Sequence, residues 1–391
     1  KEYKQENSKC IKMKIIFLSN FFDHHQKPFS ETVSRMQNVE YTFVALSRMT
    51  QERISLGYDN KDVPSYVLEV DLNNNDAKND LINKVMEADI VIKGSAPDYL
   101  IKKRTPQNGL TFIYTERIFK KGIQPLEFLA SVYKHIRYRN IYNNCYFLTA
   151  SAYTPFDFRL TGCVRNKMFK WGYYPPFIKQ EVKELIDKKI NKSILWVGRF
   201  IDWKHPEIPI KIAARLRDDG YQFHISMIGT GKMIEKIRSS VRMNNLTEYI
   251  SILGAMSPDA VRRHMENSEI FLFTSDRNEG WGAVLNEALN SGCAVVANKN
   301  IGAVPYLLVD GHNGFIYNND DLDMLYFQII TLLKDENYRK KLSVEAYNTI
   351  AYSWNADVAT QRFVKLCESL LQGRTISFSE GPCSKASFSI G

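Results

Sequence analysis

The sequence predicts an α/β protein made of two doubly wound, Rossmann-like domains. Three observations lead there. Short, nearly continuous apolar runs alternate with amphipathic stretches from end to end, the signature of parallel sheets covered on both faces. The alternation occurs in two series, each close to half of the 391 residues, and a chain of this length ordinarily divides into two or three domains. Between the series, a Pro175-Pro176 pair stops any helix and a charged stretch follows.

In the first series the strand candidates are KIIFLSN (14–20), YTFVALS (41–47), SYVLEVD (65–71), ADIVIKG (88–94), LTFIYTE (110–116) and CYFLTAS (145–151). In the second they are SILWVG (193–198), QFHISMIG (222–229), YISIL (249–253), EIFLFTS (269–275), CAVVAN (293–298) and GFIYN (314–318). Helical patterns such as DAKNDLINKVMEA and PDAVRRHMENS lie between them. The expected organisation is an N-terminal domain over 1–178, a linker over 179–192 and a second domain over 193–353. A helix over 354–372, able to pack back on the first domain, and a flexible Ser/Gly-rich tail over 373–391 complete it.

Composition narrows the class. The chain is 44% hydrophobic and 24% charged, ordinary for a globular protein. It has no apolar run long enough to span a bilayer, and its first residues read as a polar lead rather than a secretory signal. Its six cysteines include no C-x-x-C pair or zinc spacing, so buried thiols in a reducing, cytoplasmic compartment are expected. The net charge of +9 is one-sided: residues 91–180 hold 15 basic and 4 acidic residues. Such a field suits an anionic partner.

The second series carries the chemistry. In LWVGRFIDWKHPE a strand ends at Gly198, and Arg199 and Lys204 follow it, where cations beside helix N-termini suit a diphosphate. In SMIGTGK, Gly229 and Thr230 begin a tight, ligand-permissive turn, although the third glycine of a dinucleotide fingerprint is missing. In RNEGWGAVLNEALNSG, Glu279 sits in a turn with Gly280, Trp281 and Gly282, and Glu287 lies about two helical turns further on. One carboxylate there suits a sugar and the other a ribose diol. Asp321 and Asp323 form a D-x-D string, but at a helix start, where capping is the better reading than metal binding.

NEGWGAVLNEALNSGCAVVA resembles the E-x7-E signature of family 4 retaining glycosyltransferases of the GT-B fold. VGRFIDWKHPE is similar to that family's V-G-R-x-x-x-x-K-G segment, with His205 in place of glycine. MIGTGK, ISILGAMS and GAVPYLLVDGHNGFIY are similar to three further segments, the last with Tyr306 in place of glutamate. The resemblance implies two domains closing over an interdomain cleft, a nucleotide-sugar donor, retention of configuration and no metal or other cofactor. By position it implies that Arg199 and Lys204 hold the diphosphate, Glu279 contacts the donor sugar and Glu287 binds the ribose. Gly280, Trp281 and Gly282 would pack backbone against sugar and phosphate, and the segment containing Leu253 would contact the base.

The first series resembles the family less, as a domain that selects the acceptor would. SNFFDHHQKP is similar to a pattern in its bacterial polysaccharide enzymes and places His24 and His25 after the first strand. His25, before His24, is the candidate to approach the acceptor hydroxyl or donor sugar. Glu116, ending another strand, is a cleft candidate, with a surface ion pair as the competing reading. VYKHIRYRNIY (132–142) interleaves basic and aromatic residues on one helix, and Lys102-Lys103-Arg104 and Lys120-Lys121 add charge. The stretch 102–142 therefore suits an anionic membrane surface. No RNP, KH or helix-turn-helix pattern supports nucleic acid. The expected function is transfer of a hexose-type sugar, UDP-activated by preference, to a lipid-linked or oligosaccharide acceptor in bacterial surface polysaccharide synthesis. A sugar-nucleotide epimerase of the same fold and a non-catalytic nucleotide-sugar or anionic-lipid binding module are the alternatives.

Overall fold

The computed structural model describes residues 12–48, 63–107, 109–162, 167–318 and 321–387. Cys10, Cys163 and the polar lead lie outside the described residues. The strands form two wholly parallel sheets. The first comprises β1 (Met13–Ser19), β2 (Val39–Ala45), β3 (Val67–Glu69), β4 (Ile90–Lys93), β5 (Leu110–Thr115), β6 (Tyr146–Thr149) and β7 (Met168–Lys170), in the order β3-β2-β1-β4-β5-β6-β7. The second comprises β8 (Ile190–Val197), β9 (His224–Ile228), β10 (Ile250–Gly254), β11 (Ser268–Phe273), β12 (Ala294–Asn298) and β13 (Phe315–Tyr317), in the order β10-β9-β8-β11-β12-β13.

Burial explains the near-continuous apolar runs. Every residue of β4, β11 and β12 is buried, because helices cover both faces of each sheet. Register is fixed on both sides of the central strands: Ile15 of β1 lies opposite Tyr41 on one side and Ile90 on the other. Strand order reverses between β1 and β4 and again between β8 and β11. At such a switch point the connections leave in opposite directions and open a crevice at the strands' carboxyl ends.

One apolar core joins the two sheets, running from Phe17 and Phe112 through Trp171 to Phe271, Leu285 and Trp354. The C-terminal helix Ala356–Leu371 seals it. Asn355 caps that helix by accepting from the Val358 N–H, and Phe363 packs edge-on against Phe29 and Phe112 of the first domain. Thr32 donates to Asp357 and Asn38 to Glu368 along the same contact.

Three expectations are corrected. The tail is not loose along its whole length: residues 381–384 are buried, and Lys385 bridges antiparallel to Phe169. It pairs with β7, a strand absent from the sequence reading, and so covers a sheet edge. The basic-aromatic stretch is not one helix: Pro125–Arg137 ends at Tyr138, and a separate turn, Arg139–Asn143, follows. Arg104 is not a surface cation. It is buried and donates to the carbonyls of Val85, Ala88, Asp89 and Leu110, closing the C-terminal end of the helix Asn75–Glu87.

Candidate active site

The β8–β11 switch point gathers residues expected on the donor side. Three loops interlock beneath them. The Gly229 N–H donates to the Gly254 carbonyl, and the Gly198 N–H donates to the Ile228 carbonyl. Gly229 sits at φ 136, and a Cβ there would lie 1.9 Å from the Gly198 carbonyl oxygen. Glycine is thus required by another loop of the protein. The exposed Thr230 accepts from the Phe200 N–H through its carbonyl, and Leu253 is partly exposed at the end of edge strand β10. Arg199 extends into solvent and lies over the Trp203 ring.

The structure brings two of the predicted catalytic residues into direct contact. The Lys204 ammonium pairs with the Glu279 carboxylate, and both side chains are largely enclosed. Backbone ties set this up. The buried Thr274 hydroxyl at the end of β11 accepts from the Trp196 indole at 2.8 Å and donates to the Lys204 carbonyl at 2.7 Å. The Asp276 N–H donates to the Trp203 carbonyl, and the Glu279 N–H donates to the Asp276 carbonyl.

His205 explains why glycine is usual at its position. It occupies the left-handed region at φ 52, which costs a residue bearing a Cβ about 1 kcal/mol. Here the side chain offsets that cost: Nε2 meets Asp276 at 3.2 Å and Nδ1 meets Glu207 at 2.9 Å. Those bonds, Asp276 first, raise its pKa to about 9. At neutral pH the imidazolium therefore donates to both carboxylates and fastens the β8 loop to the β11 loop.

The Gly-Trp-Gly turn does structural work at the domain boundary. Trp281 is buried, its indole donates to Asn286, and its ring packs among Tyr173, Tyr306 and Trp354. Gly282 turns beneath Phe273 at φ 88. Gly280 faces the first domain: a Cβ there would lie 2.0 Å from the Glu116 carboxylate. Tyr306, where glutamate is usual, stacks on Trp354 and its hydroxyl meets Thr149 at 3.0 Å across the boundary. It is an interdomain strut rather than a polar contact for a sugar.

Glu287 lies on the helix Val284–Asn290 and lines an interdomain cavity of about 630 Å³, with His24 and Arg35 from the first domain and Arg262 from the second. Burial raises its pKa, and Arg262 opposes the rise. Arg262 donates to the Glu287 carbonyl, Ser291, Asn290 and the Pro176 carbonyl, and so steadies the helix that carries Glu287.

At the β1–β4 switch point of the first domain a second cavity, about 560 Å³, is walled by Asp23, Lys93, Glu116, Lys134 and Tyr173 among others. Glu116 accepts from the Tyr173 hydroxyl at 2.5 Å and pairs with Lys120. The His25 ring stacks on Tyr173 at 5.2 Å, and the His24 and His25 rings lie 3.7 Å apart. His25, Tyr173, Glu116 and Gly280 thus form one contiguous series across the boundary. Asp98 pairs with Lys93 at 2.7 Å and Lys134 at 3.2 Å, and these lysines outweigh burial to hold its carboxyl below the usual range.

Sequence reasoning missed Tyr173, Thr274 and Asp276. Tyr173 lay in what read as the approach to a linker. The signal for Asp276 was available: an acid two residues before Asn278 can close an Asx turn, as it does here. The Asp321-Leu322-Asp323 string caps and pairs. Asp321 accepts from the Met324 N–H and Asp323 meets Arg215 at 2.7 Å. Among the described residues no group of three or more His, Cys, Asp or Glu side chains is placed to hold a metal ion.

Comparison with known proteins agrees with this architecture. Residues 178–349 match the family model described as glycosyl transferases group 1. An uncharacterised glycosyltransferase of Methanocaldococcus jannaschii is 32% identical over 183 residues, covering 42% of this chain and 50% of that protein. The Campylobacter jejuni N-acetylgalactosamine-N,N'-diacetylbacillosaminyl-diphospho-undecaprenol 4-alpha-N-acetylgalactosaminyltransferase is 29% identical over 150 residues, covering 38% and 40%. The matches to such curated relatives span about half of their length. Among solved structures, Anabaena HepE in complex with UDP superposes with a TM-score of 0.68 at 15% identity, covering 91% of this chain and all of that one. The lipopolysaccharide outer core galactosyltransferase WaaB gives 0.66 at 16%, covering 91% and 99%. The two-domain GT-B fold is therefore shown over nearly the whole chain, and residues 178–349 within it are similar to the glycosyl transferases group 1 family.

Proposed function

We propose that the protein is a retaining, family 4 type glycosyltransferase that moves a hexose-type sugar from a nucleotide diphosphate, UDP by preference, to a glycan or lipid-linked acceptor in surface polysaccharide synthesis. The observation that carries the reading is the β8–β11 switch point, where Lys204 and Glu279 are paired next to Arg199 on loops of a group 1 domain. Relatives and fold neighbours named for undecaprenol-linked and lipopolysaccharide substrates support the acceptor class.

In this reading Glu287 accepts from the ribose hydroxyls, and Arg199 and Lys204 meet the diphosphate. The bond from the sugar's anomeric carbon to the diphosphate breaks, and the electron pair stays on the departing oxygen, stabilised by the two cations. The acceptor oxygen bonds to the anomeric carbon on the same face, and its proton passes to that departing oxygen. Glu279 holds the donor sugar, and His25 and Glu116 lie on the acceptor side. Arg199 and Lys204 supply the charge a metal ion would otherwise bring, so the reaction proceeds without one. The cationic stretch 102–142 meets an anionic membrane surface.

A thermal-shift panel of UDP, GDP, ADP, CMP and TDP, with EDTA or with Mg²⁺, tests this directly. A ligand of the native state raises Tm by linkage. One nucleotide diphosphate is expected to stabilise the protein equally in EDTA, and Glu287→Ala to abolish the shift. A panel with no response would remove the donor assignment. Conversion of the donor to an epimer without acceptor would replace transfer by epimerisation.

A further inference from the structure

The helix Pro125–Arg137 is held to the protein on one side only. His135 is buried, and Phe128, Ser131 and Val132 are partly covered. On the opposite side Leu126 is 82% exposed, Leu129 62%, Tyr133 62% and Ile136 68%. The spacing of three, four and three residues sets these four side chains on one helical face. Ile123, 53% exposed, stands just before the helix. Four large apolar side chains in a row on a surface mark an interaction site.

We propose that this face docks on an anionic lipid bilayer. The proposal narrows the membrane contact of the preceding reading to one helix face, and its bearing on the acceptor rests on that reading. The occupant follows from charge. Lys121, Arg137 and Arg139 flank the stripe in exposed positions, and Glu127 is the one acidic residue of the helix. The surrounding segment, 91–180, holds 15 basic residues against 4 acidic. A second copy of the chain would bring the same positive field to the contact and be repelled, whereas anionic head groups are attracted to it. A nucleic acid strand would need aromatic platforms, and three of the four exposed residues are aliphatic. A helix of 13 residues is roughly 20 Å long, too short to cross a bilayer but suited to lie in its interface.

The contact differs from the basic-aromatic pattern read in the sequence. Tyr142, His135 and Arg104 from that pattern are buried, and the surface is made by Leu126, Leu129 and Ile136 with Tyr133. The inner side of the same helix supplies Ser131, Lys134 and His135 to the 560 Å³ cavity of the first domain. Docking therefore sets the acceptor-side cavity behind a wall seated on the membrane, within reach of a sugar carried on a lipid.

Co-sedimentation with vesicles tests the proposal. The protein is spun with vesicles of phosphatidylcholine alone and of phosphatidylcholine with about one third phosphatidylglycerol. Binding to the anionic vesicles is expected to exceed neutral binding by roughly tenfold or more and to weaken at high salt. The variant Leu126→Ser/Leu129→Ser/Ile136→Ser is expected to lose roughly tenfold or more. These side chains are exposed, so the variant should keep the wild-type Tm and nucleotide response. Equal sedimentation of variant and wild type, or no binding to anionic vesicles, overturns the proposal. So does a dimer detected by light scattering that the variant converts to monomer, since the occupant would then be a second copy. A protein that binds vesicles but answers to no nucleotide retains the docking face and refutes only the transferase reading.

Discussion

Replacing His205 by glycine separates two effects that the structure sets against each other. Glycine removes the backbone strain at φ 52, worth about 1 kcal/mol, but also deletes the bonds to Asp276 and Glu207. The pKa rise from 6.5 to about 9 bounds the charge-dependent contribution at about 3 kcal/mol. Because the side chain is partly open to solvent, roughly 1–2 kcal/mol is the expected share. The folded pKa is raised, so the imidazolium's contribution is complete below pH 6.5 and lost as pH climbs through about 9. Asp276 and Glu207 have lowered values, so their contributions fade only on acidification through the carboxylate range. Urea unfolding of wild type and His205→Gly between pH 5.5 and 10 reads the difference. Wild type should be more stable near pH 6, and the gap should close or invert above pH 9 as the relieved strain comes to dominate. Since Asp276 also anchors the turn bearing Glu279, the donor KM of the variant should rise roughly three- to tenfold. A stability difference that is flat with pH, or grows toward alkaline pH, would refute the latch.

Gly280→Ala should drive a methyl group into the Glu116 carboxylate and lower transfer by roughly tenfold or more, while Gly280→Ala/Glu116→Ala should recover part of that loss; steady-state rates of the two variants check it. Ending the chain at Gly373 removes the strand-like pairing with β7 and uncovers Tyr174, which lies near the buried Cys383; Tm should fall by roughly 5 °C or more, and no change by calorimetry would show the tail to be dispensable.

The fold was legible because parallel strands leave a simple trace. Runs such as Ile90–Lys93 and Ser268–Phe273 are buried on both faces, whereas a sheet with one wet face would show alternating apolar and polar residues. What escaped was set by partners distant in sequence. Met168–Lys170 is a three-residue edge strand that pairs with β6 on one side and is bridged by the returning residues 383–386 on the other, and neither segment signals this alone. The break at Tyr138 is likewise invisible in local periodicity, since the residues on both sides favour a helix. Arg104 read as a surface cation because nothing nearby shows that a helix end and a strand converge on its guanidinium.

At the site, the sequence singled out the glycine-bearing loops but left the purpose of their glycines open. Gly229 and Gly280 are small because another loop or the other domain occupies the space a side chain would need. The glycine motifs therefore describe the scaffold of the switch point, and in the proposed reading the chemistry falls to Arg199, Lys204 and Glu279 beside it. Arg199 is exposed and carries its charge outward, whereas Lys204 is enclosed and shares its charge with Glu279. Two cations in such different settings are not interchangeable toward a diphosphate. If the proposed donor binds, Arg199 contributes long-range attraction that salt screens, and Lys204 contributes a short-range contact fixed by Thr274 and, through Asp276, by His205. The residue that departs most from the family pattern thus acts on the part of the site where position matters most.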